Sequence, residues 1–199
     1  MKTMKRYSWC PLAAGLVAAC LAPSLAQDAN DRPPLALVNY RMEIDERTEA
    51  AFFCPPGYVI TGIGARCAGD DVANMRIRMN PLLPGGRLGE PKEVFFGWSD
   101  SRNLEGNVDL PDGWVAVGFG ASGQPEGDIK SFVVWGSPIG PDGKLGFVQK
   151  FRSGFHPGEK MQQDVLAEGN RVLTGVGLRM AGHSIRGMRA QSAEIVAKP

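Results

Sequence analysis

Residues 54–82 read CPPGYVITGIGARCAGDDVANMRIRMNPL, and the chain contains this stretch in three versions. The second version spans residues 110–139 (LPDGWVAVGFGASGQPEGDIKSFVVWGSPI), and the third spans residues 166–195 (LAEGNRVLTGVGLRMAGHSIRGMRAQSAEI). The register is set by Gly62 and Gly64, because this glycine pair recurs after 56 and then 57 residues. A repeat of this length indicates one supersecondary unit used three times.

The segment after the Pro-Pro-Gly turn has the clearest strand pattern in the chain. One set of alternating positions comprises Val59, Thr61, Ile63, Ala65 and Cys67. The opposite set comprises Tyr58, Ile60, Gly62, Gly64 and Arg66. Alternation with β-branched residues on one side predicts a half-buried strand whose first set faces the core. On the second face, the recurring glycines indicate either close approach of another backbone within the sheet packing or a shallow groove for a ligand.

The remaining elements of each copy predict a four-stranded sheet. A polar loop, a second strand, a Pro-Gly hairpin and a return strand follow the first strand in copies one and two. Copy three ends at residues 195–199, without room for the hairpin or return strand. Residues 35–42 have the spacing of the missing strand, so we expect them to complete the third unit and close the ring. No segment has a helical pattern, and the fold class predicted is an all-β, threefold β-prism of three four-stranded sheets.

The first 26 residues have the pattern of a secretory signal peptide. Lys2, Lys5 and Arg6 precede an apolar stretch, and a small-residue cleavage site ends at Ala26. Residues 17–20 offer a rival interpretation, a lipobox with Cys20 as the lipidated residue. We expect a polar leader at residues 27–34 and a single β-prism domain at residues 35–199. The predicted location is therefore secreted or periplasmic, with a lipid anchor as the alternative.

The charge balance argues against two classes of partner. Without the signal peptide, 19 lysine and arginine residues stand against 21 acidic residues. A nearly neutral chain without a basic stripe has no electrostatic basis for binding nucleic acid or anionic lipid. No other segment approaches 18 consecutive apolar residues, so no membrane span is predicted. The oligomeric state is not indicated.

Two of the four cysteines, Cys54 and Cys67, lie outside the signal peptide. An even number in an exported protein favours a disulfide. The repeat favours a different role for Cys54, because this position aligns with Leu110 and Leu166 and a free cysteine is a good small hydrophobic residue. In a simple hairpin, the two cysteines would also lie about 30 Å apart along the sheet. Both alternatives stay open.

The first copy resembles the vitelline membrane outer layer protein I family. The matching residues are 54–57 (CPPG), the strand around Gly62, residues 69–74 (GDDVAN) and residues 76–78 (RIR). The resemblance is distant and weakens in the later copies. It implies a β-prism of three Greek-key sheets, in agreement with the repeat count. It also implies an extracellular coat protein associated with oligosaccharide binding.

The sequence contains no recognisable catalytic or metal-binding motif. His156 and His183 lie in different units, and no Cys-x-x-Cys pair is present, so zinc is not expected. Neither a nucleophile elbow nor a phosphate-binding loop occurs. We therefore expect a protein that is not an enzyme and has no cofactor.

Candidate ligand-binding residues are acidic loop residues and tryptophans. Carboxylate and amide oxygens can bind the hydroxyl groups of a sugar or Ca²⁺, and tryptophan can stack on a sugar ring. The alternative is a solvated turn in which aspartate accepts local backbone hydrogen bonds. The candidates are Asp70, Asp71, Asn74, Asp128, Trp98, Trp114 and Trp135.

Exposure of two of these tryptophans is inferred from the repeat. Trp114 aligns with Tyr58 and Asn170, and Trp135 aligns with Arg78 and Gln191. Polar residues at the equivalent positions indicate that both tryptophans face solvent at least in part, and an exposed tryptophan suggests a contact surface. Two functions follow. One is a lectin-like glycan-binding module, and the other is a structural or interaction protein of the cell envelope or extracellular matrix.

Overall fold

A computed structural model describes residues 32–44, 50–68, 71–97, 104–123, 129–153, 161–181 and 184–198. Within these ranges the regular structure is β-strand, apart from one 3₁₀ turn at Pro84–Gly86. The strands in chain order are β1 (Leu35–Ile44), β2 (Ala50–Phe53), β3 (Tyr58–Ala68), β4 (Asp71–Pro81), β5 (Lys92–Gly97), β6 (Leu104–Asp109), β7 (Trp114–Gly123), β8 (Ile129–Pro138), β9 (Gln149–Arg152), β10 (Met161–Leu166), β11 (Arg171–Ala181) and β12 (Ser184–Ala197).

The strands form three antiparallel sheets of four strands each. Their orders are β5-β4-β3-β6, β9-β8-β7-β10 and β1-β12-β11-β2. In the first two sheets, three strands joined in sequence are followed by a fourth that returns beside the first, which is the Greek-key arrangement. The third sheet has the same spatial order, but its β12 and β1 are neighbours that are not consecutive in the chain. The three sheets correspond to the three sequence copies. The prediction of an all-β, threefold β-prism is confirmed.

The third sheet is completed by the N-terminal part of the chain. β1 pairs with β12 from Leu35 opposite Ala197 to Ile44 opposite Ala190, so the prediction for residues 35–42 is confirmed. The structure adds that β2 also belongs to this sheet, where it pairs with β11. The chain ends are tied together by the Lys198 amide, which donates to the Pro34 carbonyl at 2.8 Å.

A β-bulge interrupts the central strand of each sheet just before the glycine pair. The pairing register shifts between Ile60 and Gly62, and the same shift occurs at the equivalent places in β7 and β11. A bulge sets two residues against one on the partner strand and so changes which face the following residues occupy. The predicted strict alternation is therefore wrong at Ile60, which is 0% exposed and packs in the main core with Ile63 and Ala65.

The core lies where the three sheets meet. Its main cluster takes buried side chains from all three units, including the stacked rings of Phe119 and Phe132 with centroids 5.7 Å apart. A second cluster contains Val59, Val115 and Val172, one residue from each unit. Each sheet therefore buries its inner face only against the other two.

The glycine pair makes room for the fourth strand of each sheet. A Cβ added at Gly118 would lie 2.6 Å from the Val165 carbonyl oxygen and 3.2 Å from the Leu166 Cα. A Cβ at Gly175 would lie 3.1 Å from the Phe52 carbonyl oxygen, and one at Gly62 would lie 3.1 Å from that of Val108. The close approach of another backbone, one of the two explanations offered by the sequence, is confirmed.

Buried charge holds β1 against the third sheet. The Arg171 guanidinium donates to the Ser192 hydroxyl at 2.8 Å and to the Asn39 carbonyl at 2.6 Å, and it lies 3.4 Å from the Glu43 carboxylate. The Arg171 and Glu43 side chains are each 9% exposed. Because the network joins β1, β11 and β12, it stabilises the closure of the ring.

We expect Gly118→Ala to lower the free energy of unfolding by about 1–3 kcal/mol, because the new Cβ overpacks against backbone atoms that cannot move aside. The loss outweighs the gain of about 0.4–1 kcal/mol from a less flexible unfolded chain. Gly62→Ala is the matched control and should lose less, because its tightest contact is the end of the Asp109 side chain rather than backbone. Urea unfolding measures both. Equal stability of Gly118→Ala and wild type would contradict this account of the glycine pair.

A second prediction concerns Glu43. Burial raises the pKa of this carboxyl, but hydrogen bonds from Arg41 and Ser192 and the charges of Arg41 and Arg171 outweigh it and lower the pKa below 4.5. A carboxyl with a lowered pKa contributes stability above its unfolded pKa and loses it as the pH falls through the folded pKa. We expect Glu43→Gln to cost about 1–3 kcal/mol at pH 7. The difference in the free energy of unfolding between Glu43→Gln and wild type should become smaller as the pH falls below 4.5.

The matched control for Glu43→Gln is Glu93→Gln. Glu93 also pairs with a buried arginine, Arg76, but its own side chain is 44% exposed. Solvent screening should keep its effect within about 1 kcal/mol. Urea unfolding of both variants between pH 3 and pH 8 provides the measurement. A pH-independent effect of Glu43→Gln would rule out an ionic role for this carboxylate.

Candidate functional site

The hydrogen bonds that enter the central strands define which residues of the three units correspond. Leu110 donates its amide to the Thr61 carbonyl, Cys54 to that of Thr174, and Ala167 to that of Val117. The equivalent of Cys54 in the third unit is therefore Ala167, and the alignment with Leu166 is wrong by one residue. The same offset places Arg171, rather than Asn170, at the position of Trp114.

One end of the prism contains three clefts at equivalent places. Each lies between the last part of one unit and the turn that opens the next unit. The first cleft, of about 750 Å³, lies between the hairpin at residues 85–91 and the turn at residues 110–114. The second, of about 880 Å³, lies between residues 144–148 and residues 166–170. The third is about 230 Å³ and lies between Leu35 and the turn at Pro56.

A strand side chain at an equivalent position supports each hairpin that borders a large cleft. Asn80 donates to the Gly89 carbonyl at 2.6 Å, and the equivalent Ser137 donates to the Gly146 carbonyl at 3.1 Å. In the third unit, the described residues after β12 form no hairpin, and Ala193 stands at this position with 0% exposure. The strands beneath the two large clefts thus carry a side chain that bonds to a hairpin, and the strand beneath the third cleft carries an alanine instead.

The first cleft combines one aromatic side chain with many polar ones. Trp114 is half-buried and makes edge contacts with Phe147 and Phe151, at ring centroid distances of 5.1 and 5.6 Å. At the side of β3 and β4, the Thr61 hydroxyl donates to the Asn80 side-chain oxygen. The other polar or charged side chains of the lining are Arg32, Arg78, Arg87, Glu90 and Asp112. Such a surface offers hydrogen bonds together with the indole of Trp114.

The second cleft is more apolar and is built around Asn170. Its side chain accepts from the Leu145 amide at 2.9 Å and donates to the carbonyls of Gly143 and Ile195 at 3.0 and 2.8 Å. Asn170 therefore connects the hairpin of the second unit to the third unit. Apolar residues from several segments complete the lining, namely Val117, Leu145, Val148, Leu166, Ala167 and Ile195.

The predicted ligand-binding residues are not brought together in one place. Trp114 lines the first cleft. Trp135 is half-buried on β8, with the Lys150 ammonium 5.1 Å from its ring centroid, and is not part of any of the three cleft linings. Asn74 is 8% exposed within β4, where it pairs with Arg66 and Gly97, at the end of the sheet opposite the clefts.

The remaining predicted residues lie wholly or partly outside the described part of the chain. Asp70, Asp128 and Trp98 lie outside it. The backbone of Asp71 begins β4 and pairs with Ala68, but its side chain is not among those described. Their proposed roles therefore stay predictions.

Sequence reasoning did not select most of the residues that line the first cleft. Thr61, Arg78, Asn80, Glu90 and Asp112 look like ordinary strand and turn residues in the sequence. The available signal was the recurrence of hairpin and turn at fixed spacing. It did not show that the hairpin of one unit packs beside the turn of the next.

The outer face above Gly62 and Gly64 is filled by a charged network. Arg76 donates to the Asp109 carboxylate at 2.9 Å and to side-chain oxygens of Glu93 and Asn107. The hydrogen bond from Arg76 lowers the pKa of Glu93. Because side-chain oxygens of Asp109 and Asn107 lie closest to the space above the two glycines, a ligand groove at this place, the other explanation offered by the sequence, is wrong for the first unit.

Cys54 is a free thiol that contacts the main core cluster. Its structural equivalents, Leu110 and Ala167, are 4% and 7% exposed. Burial raises the pKa of the Cys54 thiol to about 12. The free form matches the interpretation of Cys54 as a small hydrophobic residue. The side chain of Cys67 is not among those described, so its own state stays open.

Within the described residues, two kinds of feature are absent. In those ranges, no group of three or more histidine, cysteine, aspartate or glutamate side chains is arranged to hold a metal ion. The same ranges contain no helix with the length and apolar character needed to cross a membrane. His156 and His183 lie outside the described residues.

We expect the Cys54 thiol to react slowly with iodoacetamide in the native protein at pH 8, because only the thiolate is the nucleophile and the pKa of this thiol is about 12. Peptide mapping by mass spectrometry of native and urea-unfolded protein gives the two rates. Labelling should become at least about tenfold faster on unfolding, since the pKa returns to about 8.5. Finding Cys54 in a disulfide-linked peptide would contradict the free thiol and restore the bridge to Cys67.

Comparison with known proteins yields limited similarity. No family model matches the chain, and no curated protein matches it. Among solved structures, the chain is similar to the crystal structure of Calystegia sepium agglutinin, with a TM-score of 0.43 and 12% sequence identity, over 80% of this chain and 97% of that chain.

Proposed function

We propose that the protein is a non-catalytic, lectin-like module that binds a glycan in the first cleft. The observation that carries this proposal is the joint lining of one open cleft by Trp114 and by polar side chains. Its volume of about 750 Å³ lies within the usual range for small-molecule sites, about 300–1,000 Å³.

The composition of the first cleft suits the two kinds of surface that a sugar presents. The C–H face of a pyranose ring is apolar and packs on an aromatic ring, while its hydroxyl groups need hydrogen-bond partners. Trp114 supplies the aromatic surface. Glu90 and Asp112 are exposed and supply carboxylate acceptors at the rim.

The floor of the cleft is pre-organised by bonds that do not need the ligand. The hydroxyl of Thr61 binds Asn80, and Asn80 binds the hairpin at Gly89. A site held in place before binding loses less conformational entropy when the ligand arrives. We therefore assign Thr61 and Asn80 a positioning role and Trp114, Glu90 and Asp112 direct contact.

Export and family resemblance support the same proposal. Residues 1–26 have the pattern of a signal peptide, so glycans outside the cytoplasm are accessible partners. Cys20 offers the alternative of a lipid-anchored form. Kinship with the vitelline membrane outer layer protein I family, proposed from residues 54–78, agrees with oligosaccharide binding.

The acidic loops form a separate candidate surface. Asp70, Asp71 and Asn74 are candidate oxygen ligands for a glycan or Ca²⁺, and Asp128 and Trp98 are further candidates for binding a glycan. Of these candidates, Asp71 and Asn74 lie on the part of β4 that pairs with the end of β3 remote from the clefts. Asp71→Ala tests it independently of the first cleft.

An interaction role in the cell envelope or matrix is the alternative function. The observation in its favour is the exposure of apolar side chains beside the second cleft. Phe147 is 66% exposed, while Val148 and Leu166 are each 47% exposed. Exposed apolar residues grouped in this way are typical of contact surfaces.

We expect Trp114→Ala to weaken glycan binding on an array at least about tenfold, equivalent to about 1.4 kcal/mol. Trp114→Tyr introduces the residue type that the first unit has at the equivalent position, Tyr58. This variant should retain most of the glycan binding. Trp135→Ala and Asp71→Ala lie outside the first cleft and should bind like wild type. Thermal unfolding of each variant separates lost binding from lost folding.

Two outcomes would contradict the proposal. Binding lost in Asp71→Ala or Trp135→Ala but kept in Trp114→Ala would move the site to the residues selected from the sequence. Absence of any glycan ligand for wild type at millimolar concentration would favour the interaction role.

A further inference from the structure

We propose that the first cleft selects anionic saccharides, in which carboxylate or sulfate groups pair with the guanidinium groups of Arg32, Arg78 and Arg87. This inference rests on the proposed function and specifies the ligand class of the same site. Its basis is the convergence of three arginines from three separate segments. Arg32 precedes β1, Arg78 lies on β4, and Arg87 follows the 3₁₀ turn of the hairpin.

None of these three arginines forms an ion pair within the part of the chain that the structure describes. The buried arginines of the fold behave differently, because Arg76 pairs with Glu93 and Asp109 and Arg171 pairs with Glu43. The positive charge of Arg78 also lowers the pKa of Glu93, but the Glu93 carboxylate accepts its hydrogen bond from Arg76. The guanidinium groups at the first cleft thus retain donors for a ligand.

The charge of the lining distinguishes the first cleft from the second. Three arginines face two carboxylates, Glu90 and Asp112, in the first cleft. In the second cleft, Lys144 faces Glu168 and Glu194. The two large clefts therefore carry formal charges of opposite sign, although the fold positions them equivalently.

Two of the arginines have their positions defined by the fold. Arg32 packs over the hairpin at Gly85, where a glycine with φ 70° leaves space that a side chain would occupy. The Gly85 amide also donates to the Pro33 carbonyl at 3.4 Å. Arg78 lies on β4 opposite Gly62, and its equivalents Trp135 and Gln191 carry no charge. A guanidinium at this position is thus specific to the first unit.

An arginine is suited to this task by its geometry. Its planar fork donates two parallel hydrogen bonds to one carboxylate, which makes a charge-assisted pair stronger than a neutral one. A neutral sugar can use Trp114 and the polar rim but cannot form these bonds. The expected result is a preference for uronate-containing or sulfated saccharides over their uncharged counterparts.

Isothermal titration calorimetry with matched saccharides tests the preference. The panel contains oligogalacturonate, its fully methyl-esterified form and a sulfated dextran oligomer with its unsulfated parent. We expect the anionic member of at least one pair to bind at least about tenfold more tightly. The preference should decrease as NaCl is raised from 0.05 to 0.5 M, because salt screens charge pairs at a partly exposed site.

Arg78→Gln is the diagnostic variant, because the fold already accommodates glutamine at the equivalent Gln191. It should reduce the affinity for the anionic saccharide about tenfold and leave the neutral one unchanged. Arg78→Lys keeps the positive charge but lacks the two parallel donors of a guanidinium. Its affinity for the anionic saccharide should therefore lie between those of wild type and Arg78→Gln. Arg179→Gln, an exposed arginine of β11 that does not line the first cleft, is the matched control and should bind like wild type.

The outcomes separate this inference from the proposed function. Equal binding of charged and neutral saccharides would overturn the inference and leave the glycan-binding proposal standing. An anionic preference that survives in Arg78→Gln but disappears in Arg179→Gln would overturn the assignment to the first cleft. No binding of any saccharide would remove both proposals.

Discussion

The pairing of β1 with β12 is the constraint on which the rest of the molecule depends. Without it, the third unit would be a hairpin of β11 and β12 with β2 beside it, and Ile195 would lose the cover of Leu35. Since each sheet buries its inner face against the other two, a defect in one unit exposes the core of all three. The buried network of Arg171, Ser192 and Glu43 strengthens this closure within β1, β11 and β12.

Closure also contributes to the candidate site. The segment that enters β1 passes over the hairpin of the first unit, and in doing so places Arg32 at the first cleft. The equivalent side of the third cleft is lined by β1 and Lys198. The same connection that completes the ring therefore makes the three clefts unequal. A threefold scaffold with three unequal clefts can carry a function in one unit without requiring it in the others.

Substitutions at equivalent positions follow the local structure closely. Asn80 and Ser137 support a hairpin, and Ala193 stands where there is none. Tyr58, Trp114 and Arg171 share one backbone position but have different roles, since Trp114 lines the first cleft and Arg171 stabilises the closure. Copies of one unit thus keep the backbone that the bulge and the glycine pair require, while the side chains above it differ.

Sequence alone was sufficient for the repeat, the all-β class and the completion of the third sheet by residues 35–42, and it offered the close approach at the glycine pair as one of two explanations. These are consequences of local patterning and spacing, which a linear sequence displays directly. The β-bulge could not be seen in the sequence, because an extra residue in a strand changes which face the side chains occupy without changing the composition. The strict alternation therefore placed Ile60 on the wrong face of the strand. The one-residue offset in the third unit was hidden because Gly169 resembles the turn glycines of the other units. The first cleft was decided by tertiary structure alone, since Arg32, Arg78 and Asp112 lie far apart in sequence and meet only where one unit packs against the next.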